Sequence, residues 1–179
     1  MEDDISIKDT CQYLTFTLGE ETFAIEIINV REVTDYTEIT VVPRMPEWLK
    51  GVINLRGNVV SVIDLRLKLG MAAPERTIDT CIVIMEVRMD GDAMPVGIVA
   101  DSVQEVIHLL PEQISPAPKV GIGLNTEYIK GVGKRKEDFV IILNIDKIVS
   151  DNESTRGYRE SEVSPRAGET SGDAGVSKS

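Results

Sequence analysis

An internal repeat constrains the fold of this chain more than any other feature. Blocks 23–33 and 48–65 align with 96–106 and 128–145, at offsets of 73 and 80 residues respectively. The change of offset falls in the connection 115–123, whose prolines and glycines predict a loop. Because the same two blocks recur in the same order, the sequence predicts two copies of one small β unit.

Each copy shows the pattern of short strands joined by tight turns, with an opening hairpin and a closing hairpin. The opening hairpins pair 13–18 with 22–26 and 81–87 with 95–100, and the closing hairpins turn at 56–58 and 134–138. About five strands per copy predict an all-β fold of small closed barrels, since closure leaves no sheet edge unpaired. Asp64 and Asn144 can each cap a short helix, predicted over 65–69 and 145–149.

The composition changes after residue 150. The segment 151–179 contains no Ile, Leu, Phe or Trp. It cannot bury enough apolar surface to offset its ordering entropy, so we predict a folded domain over 1–150 and a disordered polar tail over 151–179.

The charge balance narrows the possible partners. The chain has 30 acidic and 19 basic residues and a net charge of -11. Nucleic acid and anionic lipid are poor partners for it, because both are bound through Lys and Arg. No apolar run approaches the roughly 18 residues of a membrane span, and the amino end lacks a signal-peptide pattern. With Cys11 and Cys81 not spaced as a disulfide or metal motif, we expect a cytoplasmic protein that does not insert into the membrane.

Residues that could carry chemistry are few and scattered. The single histidine, His108, has no second imidazole to work with, and Ser61 and Ser102 have no general base beside them. The triplet 90–92 lacks the spaced oxygen ligands of a calcium loop. We interpret the basic run 134–136 as a solvated turn, with a contact site as the minor alternative. The sequence therefore predicts no catalytic site, no metal and no cofactor.

A specific string, LKGVINLRG, occupies residues 49–57. Together with 16–20, 23–33, 62–65 and 97–103, it resembles the CheW-type coupling proteins of bacterial chemotaxis.

This resemblance covers nearly all of residues 11–150. It implies two intertwined SH3-like β-barrel subdomains of five strands each with short helices, roughly 11–70 with swapped ends and 80–150.

The resemblance also implies a function. CheW-type proteins are non-enzymatic adaptors that couple the cytoplasmic tips of transmembrane chemoreceptors to the regulatory domain of the histidine kinase CheA. Such a protein is a monomer when free, and it is recruited to receptor arrays at the inner face of the membrane. No kinase or receiver sequence follows the matched region, which favours a stand-alone adaptor.

The resemblance points to candidate partner-binding residues. Glu32 and Arg56 match family positions tied to coupling, and their charges can pair. The remaining candidates are aliphatic residues expected at the receptor-binding groove and glycines of the signature: Ile27, Val30, Val33, Ile98, Val99, Gly51 and Gly57. Aliphatic residues of alternating strands are more often core than interface, and glycines often serve only turns or close strand contacts.

Two other functions use the same residues. A CheW-like scaffold in a chemosensory pathway with another output, such as surface motility, has the same sequence features. More distantly, the barrel could bind a small ligand or act as an enzyme, although no convergent polar motif supports this.

Overall fold

The structure is a computed structural model that describes residues 10–72, 75–118 and 126–150. In these ranges the strands are β1 (Cys11–Leu18), β2 (Glu21–Glu26), β3 (Val30–Asp35), β4 (Leu49–Leu55), β5 (Asn58–Ile63), β6 (Cys81–Met89), β7 (Asp92–Ala100), β8 (Ser102–Leu109), β9 (Ile114–Ser115), β10 (Ile129–Arg135) and β11 (Asp138–Leu143). Two short helices are α1 (Leu65–Lys68) and α2 (Ile145–Ser150), and single 3-10 turns cover Ile27–Asn29, Pro111–Gln113 and Thr126–Tyr128. The predicted tail and part of the connection 115–123 lie outside the described residues.

The strands form two sheets, and each sheet takes strands from both copies of the repeat. The five-stranded sheet has the order β3-β6-β7-β5-β4, and the six-stranded sheet has the order β8-β1-β2-β11-β10-β9. The opening hairpin of each copy, β1–β2 or β6–β7, therefore pairs with the strands of the other copy. The all-β prediction is confirmed, and the two sheets have the strand content of two SH3-like barrels.

The exchanged hairpins join their sheets through matching parallel pairs. Strand β5 pairs with β7 with Val62 opposite Gly97, and β11 pairs with β2 with Ile142 opposite Ala24. These pairs correspond to each other at the offsets of 80 and 73 residues found in the sequence. The repeat is therefore a structural repeat as well.

Three apolar clusters result from this exchange. Each barrel has a small interior cluster: Ile53, Val60, Val62, Ile82, Ile84 and Val99 in the five-stranded barrel, and Tyr13, Ala24, Ile107, Leu109, Val140 and Ile142 in the six-stranded one. A larger cluster includes Phe16, Phe23, Met85, Ile98 and Leu143 and so takes residues from both sheets. Because the exchanged strands contribute to both kinds of cluster, they are buried on both faces. This explains why β6 begins with five buried residues in a row instead of alternating.

A short backbone segment covers one edge of each sheet. Thr40 pairs with Val52 of β4 in the five-stranded barrel, and Ser115 pairs with Val132 of β10 in the six-stranded barrel. Gly51 directly precedes Val52, and Gly131 directly precedes Val132. A Cβ on Gly51 would lie 2.0 Å from the carbonyl oxygen of Thr40, and one on Gly131 would lie 2.9 Å from that of Ser115.

The closing hairpins are tighter than the sequence predicted. The turn predicted over 134–138 is shortened, because β10 extends to Arg135 and β11 begins at Asp138. The interpretation of the basic run 134–136 as a solvated turn is therefore wrong for Arg135. Its side chain is only 20% exposed and contacts Glu105 at 3.2 Å.

Candidate functional site

A bidentate ion pair closes the five-stranded barrel on its outer surface. Arg56 donates from Nη1 and Nη2 to the two carboxylate oxygens of Glu32, at 2.7 and 2.6 Å. Glu32 lies on β3 and Arg56 in the turn between β4 and β5, so the pair joins the two edge strands of the sheet. The guanidinium remains open to a partner, because the side chain of Arg56 is 68% exposed.

A tight turn presents Arg56 at this position. Arg56 and Gly57 both have positive φ, 51° and 87°, as the central residues of a type I′ hairpin require. Asn54 supports the turn by accepting a hydrogen bond from the backbone N–H of Gly57 at 2.7 Å. Positive φ is uncommon for a residue with a side chain. Arginine therefore stands here despite a poor conformational fit, which points to a role for its side chain.

The pair also sets the charge state of both groups. The hydrogen bonds and positive charge of Arg56 lower the pKa of Glu32 below its ordinary value. In turn, the hydrogen bonds and negative charge of Glu32 raise the pKa of Arg56. Both groups are therefore ionised at neutral pH, and a partner meets a fixed pair of opposite charges.

An apolar residue and a cleft lie beside the pair. Val59 on β5 is 73% exposed, whereas Val33, which follows Glu32 on β3 and is 43% exposed, points to the opposite face of that strand from Glu32. Val59 and Gly57 also line a cleft of about 430 Å³, together with Glu38, Thr40, Val52, Ile53 and Asn54. Exposed apolar residues next to oriented charges are typical of protein interaction sites. We call Glu32, Arg56 and Val59 the paired surface.

The structure separates the predicted aliphatic candidates into two groups. Ile27 and Val30 are partly buried and pack against the large cluster. Ile98 and Val99 are each 1% exposed, and they belong to the large cluster and to the interior of the five-stranded barrel respectively. A groove lined by these last two side chains is therefore not present, because β7 is a central strand with both faces covered.

The two signature glycines have backbone roles. Gly51 lets the Thr40 carbonyl approach β4, and its φ of 148° is one that other residues rarely adopt. At Gly57 a Cβ would meet no atom within 4 Å, so glycine is needed there for its positive φ alone. Neither glycine offers a side chain to a partner, and both keep the turn and the covered edge in place.

The other barrel carries a counterpart of the paired surface that the sequence patterns do not predict. Glu105 and Arg135 form an ion pair at 3.2 Å, with Val106 and Phe139 exposed beside them by 42% and 64%. Glu105, Val106 and Phe139 correspond to Glu32, Val33 and Val59 at the repeat offsets. The repeat offsets relate these three positions, but Arg135 matches Leu55 and not Arg56, so the alignment alone does not predict this ion pair.

The remaining chemistry-bearing residues do not converge. His108 is exposed and lies 3.1 Å from Gln12. Across 10–72, 75–118 and 126–150 no three His, Cys, Asp or Glu residues are grouped to hold a metal ion. Within the same ranges no helix has the length and apolarity needed to cross a bilayer. The fold and the paired surface together define a β-barrel interaction domain.

Comparison with known proteins gives the family. The model of the CheW-like domain matches residues 12–153. The chain is 38% identical over 142 residues to the chemotaxis protein CheW of Klebsiella aerogenes, covering 79% of this chain and 83% of that protein. It is 30% identical over 151 residues to the chemotaxis protein CheW of Bacillus subtilis, covering 84% of this chain and 93% of that protein.

A solved structure agrees with these sequence relatives. The crystal structure of the scaffolding protein TtCheW from Thermoanaerobacter tengcongensis superposes with a TM-score of 0.72 at 32% identity, covering 79% of this chain and 89% of that one. The chain belongs to the CheW-like domain family, whose members are non-enzymatic scaffold or adaptor proteins of chemotaxis signalling.

Proposed function

We propose that this protein is a non-enzymatic adaptor that couples transmembrane chemoreceptors to the histidine kinase CheA. In this role it is a cytoplasmic monomer when free and joins receptor arrays at the inner face of the membrane. One barrel surface contacts the regulatory domain of the kinase, and the cytoplasmic tip of a receptor binds elsewhere on the domain. An adaptor couples its partners only if each one favours a particular arrangement of the assembly.

The paired surface is the observation that supports this proposal. A bidentate arginine–carboxylate pair has a fixed geometry, and fixed charges give specificity in a protein interface more than they give affinity. Val59 supplies exposed apolar contact area on the strand that follows the Arg56 turn. We therefore assign the first partner contact to Glu32, Arg56 and Val59. Val30, at the start of β3, and Ile27, in the turn before it, are partly buried neighbours along the chain, and Val33 is an exposed apolar residue on the other face of β3.

A binding experiment tests the proposal. Calorimetry would measure wild type, Arg56→Glu and Arg31→Glu against a CheA regulatory domain and against a receptor hairpin fragment. Arg31 is a matched control, because it lies on the same strand as Glu32 with its side chain 54% exposed and forms only a loose pair with Glu86 at 3.7 Å. We expect wild type and Arg31→Glu to bind both partners, and Arg56→Glu to bind at least one of them roughly tenfold more weakly or worse.

Two results would contradict the proposal. Binding of neither partner by wild type would refute the adaptor function. Equal weakening by Arg56→Glu and Arg31→Glu would mean that net charge matters and the paired surface does not. The double variant Glu32→Arg with Arg56→Glu adds a test of geometry, because it restores the pair with the charges exchanged.

A further inference from the structure

A buried ionic cluster lies where the chain crosses between the two barrels. Arg66 of α1 donates from Nε and Nη2 to the carboxylate of Asp64, at 2.9 and 2.8 Å. Its Nη1 donates to Asp101 at 2.7 Å. The side chains of Arg66 and Asp64 are only 6% and 1% exposed, and that of Asp101 is 18% exposed. We call these three residues the crossover cluster.

Asp101 occupies a special place in the topology. It is the single residue between β7 of the five-stranded sheet and β8 of the six-stranded sheet. Its backbone N–H donates to the carbonyl of Thr17 at 2.9 Å, and its second carboxylate oxygen accepts from the N–H of Gly19 at 2.5 Å. Thr17 and Gly19 belong to β1 and to the turn that follows it. Arg66 and Asp101 thus connect the helix after β5 of one barrel to the first hairpin of the other.

The described chain crosses between the two sheets first at Ile27–Asn29, from β2 to β3, and again at Asp101, from β7 to β8. The crossover cluster occurs at the second crossing only. At the repeat offsets, Ile28 corresponds to Asp101 and Asp146 corresponds to Arg66. Ile28 is 84% exposed, whereas Asp146 accepts a hydrogen bond from the backbone N–H of Arg88 at 3.0 Å. The first crossing therefore has neither the arginine nor the carboxylate at the matching positions. A buried charge cluster is not required by the fold itself, since one of two equivalent crossings forms without it.

We propose that Arg66 is a positioning residue that fixes the orientation of the two barrels by bridging Asp64 and Asp101. Replacing a buried ion pair by well-packed apolar residues often leaves stability unchanged or raises it, and in some proteins buried polar groups instead specify one arrangement against others. Arginine suits this position because its planar fork contacts one carboxylate with two donors and a second carboxylate with a third. Here Nε and Nη2 contact Asp64 at the end of β5, and Nη1 contacts Asp101 at the start of β8.

This orientation bears on signalling as well. The paired surface lies on the five-stranded barrel, while its counterpart at Glu105 and Arg135 lies on the six-stranded barrel. A partner held at one surface can influence a partner held elsewhere only if the connection between the barrels is stiff or has two defined states. We infer that coupling requires the crossover cluster. This second part rests on the proposed function, whereas the positioning of the barrels does not.

The test measures the distance between the barrels in the free protein. Spin labels at Ser61→Cys on β5 and Gln104→Cys on β8, both exposed sites, report one barrel each in a Cys11→Ser background. Cys81 is buried and its thiol pKa is raised, so it reacts slowly with the label. Pulsed electron paramagnetic resonance then gives a distance distribution that requires no binding partner.

The variants are chosen to spare the fold. Asp101→Asn replaces one carboxylate oxygen by an NH₂ group, so the side chain can no longer accept one hydrogen bond from Arg66 and another from Gly19 on separate oxygens. Arg66→Lys keeps the positive charge but removes the planar fork of donors. Asp92→Asn, at the exposed start of β7, is the chemical control. Ile53→Val, in the interior of the five-stranded barrel, controls for lost stability without touching the cluster.

We expect a narrow distance distribution for wild type and both controls, and a broadened or shifted one for Asp101→Asn and Arg66→Lys. In a reconstituted kinase assay, these two variants should bind each partner separately like wild type and lose receptor control of the kinase by about fivefold or more. Distances that match wild type in both variants would overturn the positioning role. Broadened distances with intact receptor control would overturn the link to coupling. If wild type bound neither partner, the proposed function would fail while the distances still decided the positioning role.

Discussion

Arg56 shows that a residue can be poorly suited to its backbone position and well suited to its surroundings. Its φ of 51° belongs to the left-handed region, where Asn and Gly are the favoured residues. The same conformation occurs at Lys136, the matching position of the other copy. The two turns still differ, because Gly57 after Arg56 also has positive φ, as a type I′ turn requires, whereas Glu137 after Lys136 does not. At Arg56 the conformational cost is therefore borne by a residue whose side chain pairs with Glu32.

Replacing Arg56 by asparagine should therefore separate stability from function. Arg56→Asn creates an Asn-Gly turn, the preferred sequence for a type I′ hairpin, and removes only an exposed ion pair. We expect a melting temperature equal to or above that of wild type, with weakened partner binding, measured by calorimetry on the same samples. A lower melting temperature would show that the pair with Glu32 stabilises the barrel more than the turn conformation costs.

The pair also predicts how Glu32 titrates. Because hydrogen bonding to Arg56 lowers its pKa in the folded state, Glu32 contributes stability above its unfolded pKa, and this contribution is lost as the pH falls through the folded pKa. NMR titration of the Glu32 carboxyl should give a midpoint below 4.5, the ordinary value, and Arg56→Asn should return it toward that value. An identical midpoint in the two proteins would mean that the pair does not persist in solution.

At the scale of elements, sequence patterns predicted the local structure well and the pairing of distant elements poorly. The hairpins, the capped helices and the Asp90–Gly91 turn are all present, because each depends on neighbouring residues. The parallel pairing of β5 with β7 and of β2 with β11 joins strands from different copies, and no local pattern encodes it. The ion pair of Glu32 with Arg56 was expected from the family resemblance. The burial of Ile98 and Val99 was not expected, because it depends on which distant strands lie beside β7.

The Lys-Gly-Val element of each copy carries a second prediction. Gly51→Ala would place a Cβ against the Thr40 carbonyl at a φ of 148°, whereas Gly131→Ala meets Ser115 and Ile114 without a positive φ. We expect Gly51→Ala to cost about 3 kcal/mol or more, from overpacking and backbone strain combined, and Gly131→Ala to cost about 1–3 kcal/mol from overpacking alone. Urea unfolding measures both losses, and equal losses would show that the strain at Gly51 is relieved by a backbone shift.

At the scale of the whole molecule, the exchange of hairpins makes the two copies depend on each other. The five-stranded sheet needs β6 and β7 at its centre, and the six-stranded sheet needs β1 and β2. Removing either exchanged hairpin would also remove part of the large apolar cluster that takes residues from both sheets. The duplicated unit visible in the sequence is therefore not the unit that folds.

Fragments test this interdependence. Residues 10–72 and 75–150, produced separately, should each show little native strand structure, because each lacks the central hairpin of its sheet. Mixed in equal amounts, they should associate and recover the circular dichroism spectrum of the intact chain. A stable, cooperatively melting structure in either fragment alone would contradict the dependence.

The exchanged hairpin also orders events during synthesis. Strands β3, β4 and β5 leave the ribosome before β6 and β7 do, so the centre of their sheet is still missing when its edges have emerged. Translation proceeds at about 5–20 residues per second, so these strands spend seconds with unpaired backbone exposed. The strands of the first half are consequently open to chaperones and to aggregation during synthesis: β3, β4 and β5 until β7 has emerged at Ala100, and β1 and β2 until β8 and β11 have followed.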